Sequence, residues 1–128
     1  MSKEKKIPIA LFGSAVLNEK KTFLACQEQI GKALEVFDPK EYEISIGKLK
    51  NKLLIEYVKG LGYDVNIISQ HPKSLLNSNK KIIREHVLSV FLIHHESSIM
   101  MELLSYAQAV EGNATVPIHL SMSVDDEA

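Results

Sequence analysis

Two stretches of this sequence gather side chains whose types and spacing suit chemistry. The first is His94-His95-Glu96-Ser97-Ser98, two imidazoles, a carboxylate and two hydroxyls that close the most apolar run of the chain. Paired serines opening a helix can hold a phosphate together with the free amides of its first turn. One of them, Ser97 or Ser98, also suits the N-cap of that helix, which is the purely structural use of the same residue. Adjacent histidines in a strand point to opposite faces and cannot chelate one ion. Adding His71 produces no ligand spacing, so no metal site is expected. Four residues beyond Ser98 stands Glu102, in the first turns of the helix among Met100, Met101, Leu103 and Leu104. At a pocket mouth it would act as nucleophile or general base; otherwise it is a capping or solvent-facing carboxylate. The second stretch is basic: Lys80, Lys81 and Arg84 fall on about a turn and a half of helix. They form a solvated face or offer a cation, Lys81 first, to a ligand phosphate.

Weaker signals complete the set. Gly13-Ser14-Ala15 is a small-residue turn that lets a ligand approach the backbone, with one glycine rather than a G-x-G-x-x-G or Walker pattern. Gly47 occupies the corresponding place after a later strand. Cys26, the single cysteine, sits mid-helix with no activating base near it in sequence and reads as a buried, inert thiol.

The elements that position these residues follow from periodicity. Residues 7–12 (Ile-Pro-Ile-Ala-Leu-Phe) form a short apolar run expected of a strand buried on both faces. A helical stripe through Phe23, Ile30, Leu34 and Phe37 follows, stopped by Pro39. Residues 42–47 read as strand, then Leu49, Leu53, Tyr57, Val58 and Leu61 as helix with Gly62 as its C-terminal cap. Residues 64–69 are a third strand, residues 71–79 a loop, and residues 80–86 a basic helix. Residues 87–93 are expected at the centre of the sheet. A helix through Met101, Leu104, Ala107 and Val110 runs to Gly112, and residues 115–120 form an edge strand because Pro117 cannot donate a ladder bond. Five strands separated by four helical segments imply an α/β fold, a doubly wound, mainly parallel sheet with helices on both faces. Ligands of such sheets bind beyond the carboxyl ends of the strands. Here those ends carry residues 13–18, 47–51, 69–73 and 94–98.

Composition sets the outer limits. At 128 residues and 45% apolar the chain suits one domain over residues 1–120, followed by an acidic tail at 121–128. Its 15 Lys and Arg against 16 Asp and Glu argue against a nucleic-acid partner, which needs uncompensated cations. No apolar run approaches the ~20 residues of a membrane span, and the charged N-terminus is unlike a secretory signal. With one cysteine, a reducing cytoplasm is the expected compartment.

Taken in order, these pieces resemble the Rossmann-like nucleotide-binding superfamily that contains the lysine-decarboxylase-like LOG proteins (the SLOG group). Nucleoside 2-deoxyribosyltransferases and TIR-like domains are more distant relatives. The resemblance covers residues 7–120. Ile9-Ala10-Leu11-Phe12-Gly13-Ser14-Ala15 looks like the opening strand and its Gly-Ser turn, and Lys80-Lys81 falls where LOG proteins carry an Arg-Lys pair. Glu102 with Ser105, Ala107, Gln108 and Ala109, then Val116-Pro117-Ile118, resembles the acidic helix and closing strand. Where LOG enzymes have a Pro-Gly-Gly-x-Gly-Thr turn, this chain reads His95-Glu96-Ser97-Ser98-Ile99-Met100. The fold is therefore expected to carry over more completely than the activity.

Three functions are consistent with this reading. One is binding of a nucleotide- or nucleoside-derived small molecule with little or no catalysis and no required cofactor. Gly13, Ser14, Ala15, Gly47, His95, Ser97, Ser98 and Lys81 would be the contacts. The second is an N-glycosidic-bond enzyme, a nucleoside 2-deoxyribosyltransferase or a nucleoside-monophosphate hydrolase, using Glu102 at the anomeric carbon. The third is a non-catalytic oligomerisation or adaptor domain whose crevice is filled by His95, Ile99 and Met100. The resemblance implies a homodimer under all three.

Overall fold

A computed structural model describes residues 5–49, 51–94 and 98–121. The chain alternates strand and helix: β1 (Ile7–Gly13), α1 (Lys20–Leu34), β2 (Tyr42–Gly47), α2 (Lys52–Gly60), β3 (Val65–Ile68), α3 (Leu75–Arg84), β4 (Leu88–Ile93), α4 (Ser98–Ala109) and β5 (Ala114–His119). The five strands form one parallel sheet in the order β3-β2-β1-β4-β5, so the expected α/β doubly wound architecture is present.

Strand alternation sends each strand's side chains to two separate cores. On one face Ile9, Leu11, Ile44, Ile46, Val90 and Leu92 pack against Phe23, Cys26, Ile30 and Leu34 of α1 and Leu54, Ile55 and Val58 of α2. On the other, Ala10, Phe12, Phe91 and Ile93 meet Ile82 and Ile83 of α3 and Met100, Leu103, Leu104 and Ala107 of α4. Phe12 and Phe91, opposite each other in the β1–β4 ladder, stack at 5.0 Å between ring centroids.

Side chains close the helix ends. The Tyr63 hydroxyl is shared between the carbonyls of Leu34 (2.7 Å) and Phe37 (2.5 Å) at the end of α1. Gly62, at φ +102°, ends α2 in the conformation its expected cap role requires. The Asn113 amide donates to the carbonyls of Ile83 (3.2 Å) and His86 (2.9 Å) and to Ser89 Oγ (3.1 Å). It thereby ties the end of α3, the start of β4 and the turn before β5 together.

Three details differ from the sequence reading. Leu49, expected on the second helix, lies in the loop before α2. The central strand is β1 and not residues 87–93; β4 lies beside it, buried by β1 and β5 and by a helical layer on each face, so its apolar continuity reports burial rather than position. Val87 itself is exposed and precedes the strand. The basic helix begins at Leu75, after a 3-10 turn at Pro72–Ser74, earlier than residue 80. The run Asn77-Ser78-Asn79 is helical despite its composition.

Candidate functional site

Loops from β1, β2 and β3 and the first turns of α3 and α4 surround a cavity of about 310 Å³ at the carboxyl ends of the strands, on the α3–α4 face of the sheet. Its walls are apolar: Phe12 from the sheet, Leu49 from the loop after β2, Leu75 from α3, and Ile99, Met100 and Leu103 from α4. Three neutral amides, Asn51, Gln70 and Asn79, interrupt them. The volume lies at the lower end of the roughly 300–1,000 Å³ typical of small-molecule sites.

Those amides are held in place. The Leu49 backbone N–H donates to Gln70 Oε1 at 2.9 Å, which fixes which end of the Gln70 amide is oxygen. Gln70 Nε2 then donates to Asn79 Oδ1, and this leaves the Asn79 NH₂ group turned away from that contact. Asn51 Nδ2 donates to the Gly47 carbonyl at 2.8 Å. Gly47 belongs to the same assembly: any Cβ there would overlap the Gln70 amide, so the strand must carry glycine at this point for Gln70 to lie across it.

The residues singled out in the sequence divide by position. Gly13, Ala15 and Gly47 line the cavity. Ser14 does not: it is buried, its N–H bonds the Leu92 carbonyl at 3.0 Å, and its Oγ accepts the His94 N–H at 3.0 Å. It joins the ends of β1 and β4 at the point where strand order reverses. Ser98 is exposed at the first residue of α4. Lys81 lines a separate groove with Ser69, His71, Ser78 and Glu85, of which Gln70 is also a wall. His95 and Ser97 lie outside the described residues. Glu102 is on the exposed side of α4, where it pairs with Lys80 at 3.4 Å and its side chain remains 54% accessible. Lys80 also sits over the Tyr106 ring, whose hydroxyl accepts from Arg84 Nη1 at 2.9 Å. Lys80 and Arg84 thus knit α3 to α4 away from the cavity.

Sequence reasoning gave Leu49 to a helix and did not single out Asn51, Gln70, Leu75 or Asn79. For Leu49, Asn51 and Gln70 a signal existed, because they fall in the loops after β2 and β3, two of the four strand ends expected to face a ligand. Asn79 has only its place in the same turn-rich segment.

Among the described residues no group of three or more His, Cys, Asp or Glu is placed to hold a metal ion. No helix among them is long and apolar enough to cross a membrane. No family model matches the chain, and neither does any curated protein.

Proposed function

We propose that the chain binds a nucleoside- or nucleotide-derived small molecule in the cavity at the ends of β1, β2 and β3, with little or no catalysis. The observation that carries this is the chemistry of the cavity. Apolar walls, crossed by fixed amides, lie where open α/β sheets receive ligands. The LOG-like order of motifs favours a nucleoside over other ring compounds. A glycosidic-bond enzyme would need a carboxylate against the anomeric carbon, whereas Glu102 turns to Lys80 on the outside of α4. A purely structural domain would have its crevice filled, whereas Ile99 and Met100 border open space.

The test is a thermal-shift screen of the purified protein against nucleosides, their monophosphates, cyclic nucleotides, NAD and ADP-ribose, with product analysis of each hit. A ligand at ~100 times its Kd adds about 2.7 kcal/mol of stability, a clear rise in Tm. A rise with the ligand recovered intact is expected. Flat curves throughout would overturn the proposal, and free base among the products would replace it with the glycosidic-bond enzyme.

A further inference from the structure

The geometry points to an orientation and a specificity determinant for this cavity: the base enters first, with its hydrogen-bond acceptors against Asn79 and Gln70, while sugar and any phosphate stay at the mouth. This rests on the nucleoside-site proposal above. The polarity of the amide wall follows from one backbone donor. Leu49 N–H requires oxygen at Gln70 Oε1; Gln70 Nε2 therefore donates, and Asn79 must accept through Oδ1. Among the described residues, Asn79 Nδ2 has no further partner, so both of its hydrogens are available, as is the second hydrogen of Gln70 Nε2. The wall consequently offers N–H groups, which match ring nitrogens and carbonyl oxygens on a base edge. Asn51, tied to the Gly47 carbonyl through Nδ2, is the third amide of the lining; Phe12, Leu75 and Leu103 are apolar and suit the faces of a flat ring. A phosphate pushed into the same space would lose its hydration against uncharged walls, an unfavourable transfer.

Gln70 is the positioning residue and Asn79 the contact residue. Asn79→Asp isolates that role, because a carboxylate still accepts from Gln70 Nε2 but removes the N–H groups and adds a charge that repels acceptors.

Calorimetric titrations of the intact chain with the four common ribonucleosides, their 5′-monophosphates and ribose 5-phosphate decide the matter. At least one nucleoside is expected to bind, with its monophosphate within about tenfold of it and ribose 5-phosphate unable to compete. N79D, checked for an unchanged ligand-free Tm, is expected to weaken that nucleoside by about tenfold or more, the loss of one well-made hydrogen bond. Ribose 5-phosphate competing as well as the nucleotide would overturn the orientation while leaving the nucleotide site standing. So would undiminished binding by folded N79D. Should N79D fail to fold, the ribose 5-phosphate competition decides alone. Silence from every compound would overturn the functional proposal, and the orientation with it.

Discussion

The two faces of the sheet are built from the same alternating strands and finished differently. Against α1 and α2 the contact is closed along its length: Cys26, Ile30, Leu34 and Val58 are fully buried, Phe23 meets Tyr57 edge to face, and Tyr63 seals the end of α1. Against α3 and α4 the half nearer the strand starts is closed by Ile82, Ile83 and Ala107, and the Phe12–Phe91 stack stands at the border of the cavity. Toward the strand ends glycine and amides stand where the other face has leucine and isoleucine, and a cavity results. One face is packed without interruption; the other gives up part of its packing around a cavity.

Leu34→Ala and Leu103→Ala test that contrast most severely. Leu34 is fully enclosed, and its truncation is expected to lose about 3–5 kcal/mol in chemical denaturation, the upper part of the range for buried leucines. Leu103 borders space that is already open, so its truncation adds little new enclosed void and is expected at the low end, about 2 kcal/mol. Equal losses would erase the distinction between the faces.

Tyr63→Phe comes next. It takes the hydroxyl from the Phe37 carbonyl and leaves the Leu34 carbonyl with the Phe37 N–H alone, and is expected to lower stability by about 1–3 kcal/mol. Burial raises the Tyr63 hydroxyl above its ordinary pKa of 10.0, helped by the nearby Asp38 and Glu35 carboxylates. A raised folded-state value means that the fold favours the neutral phenol. Its stabilisation is complete below pH ~10 and is lost as pH climbs through the folded-state value. Denaturation midpoints followed through the alkaline range are therefore expected to fall more steeply for wild type than for Y63F.

Gly47→Ala sharpens the contrast from the cavity side. The added methyl must displace the Gln70 amide, a flexible side-chain end, so stability drops by about 1 kcal/mol while ligand affinity falls about tenfold. Unchanged affinity would show that the amide wall is not part of the site. The smallest effect is assigned to Glu102→Gln. Removing this exposed pair with Lys80 changes stability by less than about 1 kcal/mol and leaves binding intact. Loss of binding in E102Q would bring the carboxylate back into the site.

Periodicity made the layers legible before the spatial order. Alternating runs and helical stripes located every strand and helix, because burial on one or both faces writes itself into local spacing. Which strand is central did not follow, since β1 and β4 are both interior strands and both read as mainly apolar runs, β4 interrupted by Ser89. The start of α3 was obscured by Pro72 and the Asn77-Ser78-Asn79 run, whose low helix propensity is overridden by Ile82 and Ile83 anchoring the helix on the sheet. At the site, Gly13, Ala15 and Gly47 were accessible from the rule that ligands meet strand ends. The Leu49–Gln70–Asn79 chain was not, because it joins three segments through tertiary approach and has no fixed spacing. Glu102 differs for the converse reason: its sequence neighbours are apolar, but they turn inward while it faces a lysine 22 residues away.

The Asn113 amide bears on the entropy of closing the chain on itself. Its partners Ile83, His86 and Ser89 lie 30, 27 and 24 residues earlier. Against the 78 and 80 residues that separate Ser14 from its partners Leu92 and His94, these are short loops to close. This single side chain thus fastens the α3–β4–β5 corner at comparatively low entropic cost, closing that face of the sheet at the end opposite the cavity.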